Sequence, residues 1–171
     1  DAFTCVASVP ELEARPAGVD MGIYYDANDP TKVTLCTYAA SKLAAAKHVF
    51  VVGDFNNWQV SEEYQLKQDG NYFWIELTGL TPQKEYAMQY VVVRSDGVVK
   101  RISDLFSEKV VHSDDQWEPM TVDPTLMPYP QEADGYATVI QTGKPAFQWS
   151  DATLNFKRPN KNNLVIYELW V

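Results

Sequence analysis

At 171 residues, 46% apolar and 13% aromatic, the chain has the length of one ordinary domain and enough apolar material to fill its core, which excludes disorder as the default. A formal net charge of −9 argues against nucleic acid, whose phosphates need Lys and Arg, and against attraction to an anionic membrane surface, and is compatible with a neutral polymer as partner. No apolar run is long enough to span a bilayer, and no charged, apolar-centred leader opens the chain. An exported protein would therefore have lost its signal or carry it upstream of Asp1. The compartment is left open, with an extracellular or periplasmic setting favoured.

Residues 1–20 combine a short apolar run, Phe3 to Val9, with Pro10, Pro16 and Gly18. They read as an N-terminal extension or as the end of an upstream module. Strand signals begin at Gly22-Ile23-Tyr24-Tyr25 and stop at the turn residues Asp26-Ala27-Asn28-Asp29-Pro30. Lys32 to Tyr38 alternates, with Val33, Leu35 and Thr37 on one face. Ala39 to Ala46 is alanine-rich but too short to stand as a helix, and reads as a loop with one helical turn. His48 to Gly53 is continuously apolar, as a central strand would be.

Asp69-Gly70-Asn71 predicts a hairpin turn into Tyr72–Leu77, where Phe73, Ile75 and Leu77 alternate against Tyr72, Trp74 and Glu76. Glu85 to Arg94 is long and β-rich, and Ser95-Asp96-Gly97 turns it back into Val98–Ile102. Short strands at this spacing, joined by Gly, Asn and Asp turns, predict an all-β, immunoglobulin-like antiparallel sandwich over residues 21–112. Residues 113–163 then carry Pro119, Pro124, Pro128, Pro130, Pro145 and Pro159 among scattered rings, and predict an extended linker strap lying against a neighbouring surface. Leu164 to Val171 is nearly all apolar, the pattern of a strand covered on both faces and of a new architecture.

The run Val49-Phe50-Val51-Val52-Gly53-Asp54-Phe55-Asn56-Asn57-Trp58 lifts an aromatic residue off the end of a strand. It resembles the family 48 carbohydrate-binding module found at the N-terminus of α-amylase-family enzymes such as isoamylases, pullulanases and glycogen branching enzymes. Gly79-Leu80-Thr81-Pro82 followed by Glu85–Tyr90 is similar to the family's next strand pair. Met127-Pro128-Tyr129-Pro130 and Phe147-Gln148-Trp149 look like its strap. Asn163-Leu164-Val165-Ile166-Tyr167-Glu168-Leu169 resembles the first strand of the (β/α)8 barrel, with Trp170 where a histidine is usual. The resemblance runs over residues 20–171 and implies a parent enzyme that hydrolyses or transfers α-glucosidic bonds, using two carboxyls about 5–5.5 Å apart. Those strands are not in this chain, so no catalytic residue and no cofactor are expected of it.

The same resemblance implies that Trp58 stacks on glucose, with Asn56 and Asn57 supplying hydrogen bonds. Binding members also carry a lysine after the tyrosine of the later strand and a second tryptophan after a turn glycine. Val91 and Val99 stand there instead, with Lys100 or Arg101 as substitutes. Tyr72 and Trp74 share a strand face that could extend a sugar platform or serve sheet packing. The alternative for Trp58 is packing against the strap or barrel, and for the asparagines service to the turn. His48 and His112 lack partners at catalytic or metal spacing, and the acidic groups Asp26–Asp29, Glu62-Glu63 and Asp114-Asp115 fit solvated turns rather than a calcium loop. Cys5 and Cys36 are open to two readings, buried thiols or an inter-strand bridge.

The function implied is a non-catalytic module of a starch- or glycogen-active enzyme, acting mainly as a scaffold on its own catalytic barrel. A glucan tether acting through Trp58 and an immunoglobulin-like protein-interaction domain are the alternatives.

Overall fold

A computed structural model describes residues 8–40, 44–116, 126–163, 165, 167 and 168. Among them are the strands β1 (Gly22–Tyr25), β2 (Val33–Tyr38), β3 (Ala46–Gly53), β4 (Lys67–Asp69), β5 (Tyr72–Leu77), β6 (Glu85–Arg94), β7 (Val99–Ile102), β8 (Val110–Val111) and β9 (Ala137–Gln141). One antiparallel sheet runs in the order β1-β2-β5-β4. In the other, β6 is the hub. It pairs with β3 along one edge and divides its other edge between β9, at Glu85–Met88, and β7, at Tyr90–Val93; β8 lies beyond β9.

The predicted alternation sets the register. Val33↔Leu77, Leu35↔Ile75 and Thr37↔Phe73 pair across β2 and β5, which puts the apolar side of both strands on one face. That face meets Val49 and Val51 of β3, Tyr86, Met88 and Tyr90 of β6, and Ile140 of β9 in a single buried cluster between the sheets. The chain is an all-β sandwich.

The stretch expected as a strap, 113–163, differs from that expectation at Ala137–Gln141, which is a strand inside the second sheet. Its residues are buried on both faces. Ile140 enters the core between the sheets, while Ala137 and Val139 join a second buried cluster on the sheet's outer face. Leu126, Met127, Tyr129 and Ala133 pack on that cluster. The chain therefore crosses the outer face of the second sheet before it enters β9.

The N-terminal segment does the same for the first sheet. Glu11–Glu13 runs beside β4 through a parallel bridge at Leu12↔Gln68, with Gln68 N–H donating to Glu11 O at 2.8 Å. After the buried Thr142 the described chain is exposed and holds an α-helical turn, α1 (Asp151–Leu154), capped by Ser150, and a 3-10 turn at Lys161–Asn163. Of the expected barrel strand 164–171, Val165, Tyr167 and Glu168 are exposed and the remainder lies outside the described residues, as do Cys5 and Trp117. Cys36 is a buried thiol, and burial pushes its pKa up to about 11. Among the described residues no helix is long and apolar enough to cross a membrane.

Candidate functional site

The turn that follows β3 is built from its own polar side chains. Gly53 lies so close to β6 that a Cβ there would sit 2.4 Å from Ala87 O, which only glycine avoids. Asp54–Asn56 then forms a single 3-10 turn, and Asn57 and Trp58 follow in the left-handed region, at φ 52° and 59°. That conformation is costly for a bulky side chain, so the surroundings must hold it in place.

They do so with a closed set of hydrogen bonds. Asn56 Oδ1 accepts Gly53 N–H at 2.9 Å, and its Nδ2 donates to Val51 O at 3.1 Å. Trp58 N–H donates to Gly53 O at 2.9 Å. The Asp54 carboxylate takes the Trp58 indole N–H on one oxygen at 2.9 Å and the Ala87 N–H on the other at 2.7 Å. The ring is thereby turned onto the outer face of the second sheet, where it packs with Phe50, Val52, Ala87 and Val91 and is only 6% exposed.

The candidate residues do not converge on one surface. Trp58 and Asn56 are committed to the turn, and Asn57 is exposed beside them. Val93 pairs with Val99 and Val91 with Arg101, so Arg101 shares the Trp58 face. Lys100 pairs with Val92, a residue of the inter-sheet core, and so projects from the opposite face at the sandwich edge. Tyr72 and Trp74 lie on the outer face of the other sheet.

That outer face is occupied by the N-terminal segment. The Trp74 indole donates to Glu13 O at 3.0 Å, and the Arg15 guanidinium stands 3.6 Å above the Tyr72 ring while pairing with Asp69 at 3.0 Å. Lys67 pairs with Glu13 and lies over the Trp74 ring.

Two cavities flank these groups. One, of about 410 Å³, opens on the Trp58 face over Phe50, Val60, Val91 and Val99, with Lys47 and His48 at its side. His48 is buried, which lowers its pKa, with Lys47 adding to the effect. The other, of about 600 Å³, lies between the N-terminal segment and β4, where Glu11, Glu13, Glu62, Glu63 and Glu76 surround Lys67.

The family model of carbohydrate-binding module 48, the isoamylase N-terminal domain, matches residues 20–107. The chain belongs to this family. No curated protein matches it. In this family 48 module the matched residues span β1 to β7 and the turn carrying Trp58, while the crossing segment and β9 follow after the matched range.

Sequence reasoning found the turn but missed two residues that organise the surface of the module. Asp54 is visible in the motif, yet its pair of hydrogen bonds, to Trp58 and to Ala87, depends on a strand 33 residues later. Gln89 is fully buried on the outer face, where its amide donates to Asp134 O at 2.6 Å and Tyr136 O at 2.8 Å and accepts Asp134 N–H at 3.1 Å. A lone glutamine within the apolar run Tyr86–Val93 was the available signal for that clamp.

Proposed function

We propose that this module is a non-catalytic scaffold in a starch- or glycogen-active enzyme of the α-amylase family, packing on the catalytic barrel of that enzyme. The observation that carries the reading is the burial of Trp58. A ring 6% exposed, with its N–H spent on Asp54, offers no open face for a glucose to stack on. Val91 and Val99 leave the neighbouring positions without the polar contacts that would orient a sugar.

The surface that asks for a neighbour lies elsewhere. Phe147 and Trp149, in edge-to-face contact at 4.9 Å, are 74% and 61% exposed, and Leu154 and Phe156 follow them on the same stretch of chain. Exposed apolar groups at this density mark an interface. In this reading residues 142–163 are the strap between module and barrel, and residues 164–171 are the first barrel strand.

The test is made in the enzyme that carries the module. Replacing Phe147 and Trp149 together by serine is expected to lower the melting temperature of the enzyme while leaving the sandwich itself folded. An unchanged melting temperature would remove the scaffold reading. The tether reading draws on the Asn56-Asn57-Trp58 motif and requires glucan binding that depends on an accessible Trp58.

A further inference from the structure

We propose that the module carries a sugar-stacking platform away from Trp58, formed by Tyr136 on His112, that takes a ring of a neutral oligosaccharide. The proposal rests on membership of a carbohydrate-binding family and is independent of whether the module also packs on a barrel.

Tyr136 is 58% exposed at the entry to β9. Its ring lies 4.4 Å from that of His112 and tilted by 30°, a stacked pair, and Tyr129 adds a second ring at 6.4 Å from His112. The pair is held from beneath. Gln89 binds Tyr136 O and both polar groups of the Asp134 backbone, Tyr129 Oη donates to Gly135 O at 2.8 Å, and Arg101 donates to Glu132 O. A protein that only needed to turn into β9 has no use for a large exposed ring fixed from so many sides. A platform does, because an aromatic face whose backbone and stacking partner are already ordered loses little entropy when a sugar covers it.

The polar surroundings select the ligand. His112 Nδ1 accepts the Asp114 N–H at 3.2 Å, which commits that ring nitrogen to its own turn. The Asp114 carboxylate stands 3.4 Å from the His112 ring, and Glu132 and Asp134 belong to the turn that holds Tyr136. The Asp114 carboxylate and the net charge of −9 disfavour an anion here, so the occupant is a neutral sugar rather than a uronic or phosphorylated one.

The experiment is a calorimetric titration of the full chain with maltoheptaose, with a galacturonic acid oligomer of similar length as the charged control. Maltoheptaose is expected to bind and the charged oligomer not to. Tyr136→Ala should weaken binding at least tenfold, Tyr136→Phe should stay within about threefold, and Trp58→Phe should leave binding unchanged. Because Tyr136 is exposed, its variants keep the fold, and circular dichroism verifies this. Absence of binding by the unmodified chain overturns the proposal, as does binding retained in Tyr136→Ala. Neither result bears on the strap variants that test the scaffold reading.

Discussion

Tyr90 and Asp104 meet inside the sandwich, the tyrosine hydroxyl donating to Asp104 Oδ2 at 2.9 Å with both residues buried. Asp104 is the centre of a small polar network. Its other oxygen accepts Phe106 N–H at 2.7 Å, and its own N–H donates to Thr138 Oγ1 at 2.7 Å, which ties the chain after β7 to β9. Tyr90→Phe removes one arm and leaves a carboxylate oxygen buried without that donor. The expected loss is about 2 kcal/mol in urea unfolding. A loss within a few tenths of a kcal/mol would show that the network is not what joins β7 and β9.

Alkali should weaken the fold in two steps with a known sign. Burial raises Cys36 from 9.0 to about 11 and holds Tyr90 well above 10.0. In each case the folded state keeps a proton that the unfolded chain gives up first. Unfolding therefore releases protons, and the stability these groups contribute is full below pH 9 and falls as pH rises through the folded values. The Cys36 part, two pK units, is on the order of 2–3 kcal/mol. Melting temperature followed from pH 7 to 11 should decline above pH 9, and Cys36→Ala should delay the decline. A flat curve for the unmodified protein up to pH 10.5 would contradict the burial of the thiol. On the acid side His48, held low by burial, favours folding above about pH 6.5 and withdraws that support as pH falls.

Much of this fold could be read from the strands because their residues alternate. Val33, Leu35, Phe73, Ile75 and Leu77 declare their face without help from distant sequence, and the Gly70 and Gly97 turns fix where strands pair. β9 could not be read this way. Ala137 to Gln141 is buried on both faces because the chain from Leu126 to Ala133 covers the outer one, and a strand covered twice loses the period of two. The same covering hid the fate of Trp58. The motif specified the turn, but whether the ring meets solvent was decided by packing partners on β6, β8 and β9 and by the crossing segment. Position along the chain does not say which face Lys100 takes. The register of β7 against β6 is what puts it on the opposite face.

The burial of Trp58 changes how its variants should be read. Trp58→Ala empties a site packed by Phe50, Val52 and Val91 and is expected to cost about 3–5 kcal/mol, so loss of any activity in it would report unfolding. Asp54→Ala keeps the ring but strands the indole N–H and the Ala87 N–H, at about 2–3 kcal/mol. The double variant should cost clearly less than the sum, since the two side chains act through one bond. Chemical unfolding of the four proteins checks this, and strict additivity would deny the coupling.

Gly53 sets the tightest steric condition on the turn. Its φ of 176° is ordinary extended backbone, so the demand is for space, with Ala87 O at 2.4 Å, Phe55 Cε1 at 2.9 Å and Met88 Cβ at 3.0 Å from a added Cβ. Gly53→Ala should force β3 away from β6 and cost about 1–3 kcal/mol or more, with the Trp58 turn loosening first. Hydrogen exchange at Trp58 N–H, which donates to Gly53 O, would then quicken more than exchange in β2 or β5. Uniform change across both sheets would mean that the clash is absorbed globally.

The N-terminal segment makes a claim on the other sheet that can be tested separately. Arg15 holds the Tyr72 ring and Asp69 at once, and Glu13 accepts the Trp74 indole while pairing with Lys67. The Arg15 side chain is half-buried, so its ion pair and ring contact together are worth only about 1 kcal/mol, and Arg15→Ala should lower stability by that amount. Removing residues 1–15 is a larger change, because it uncovers a tryptophan now 5% exposed. The emission of the shortened protein should shift to longer wavelength, and the shift should vanish in a Trp74→Phe background. A shortened protein with unchanged emission would mean that the outer face of β5 is covered by something other than the segment from Glu11 to Arg15.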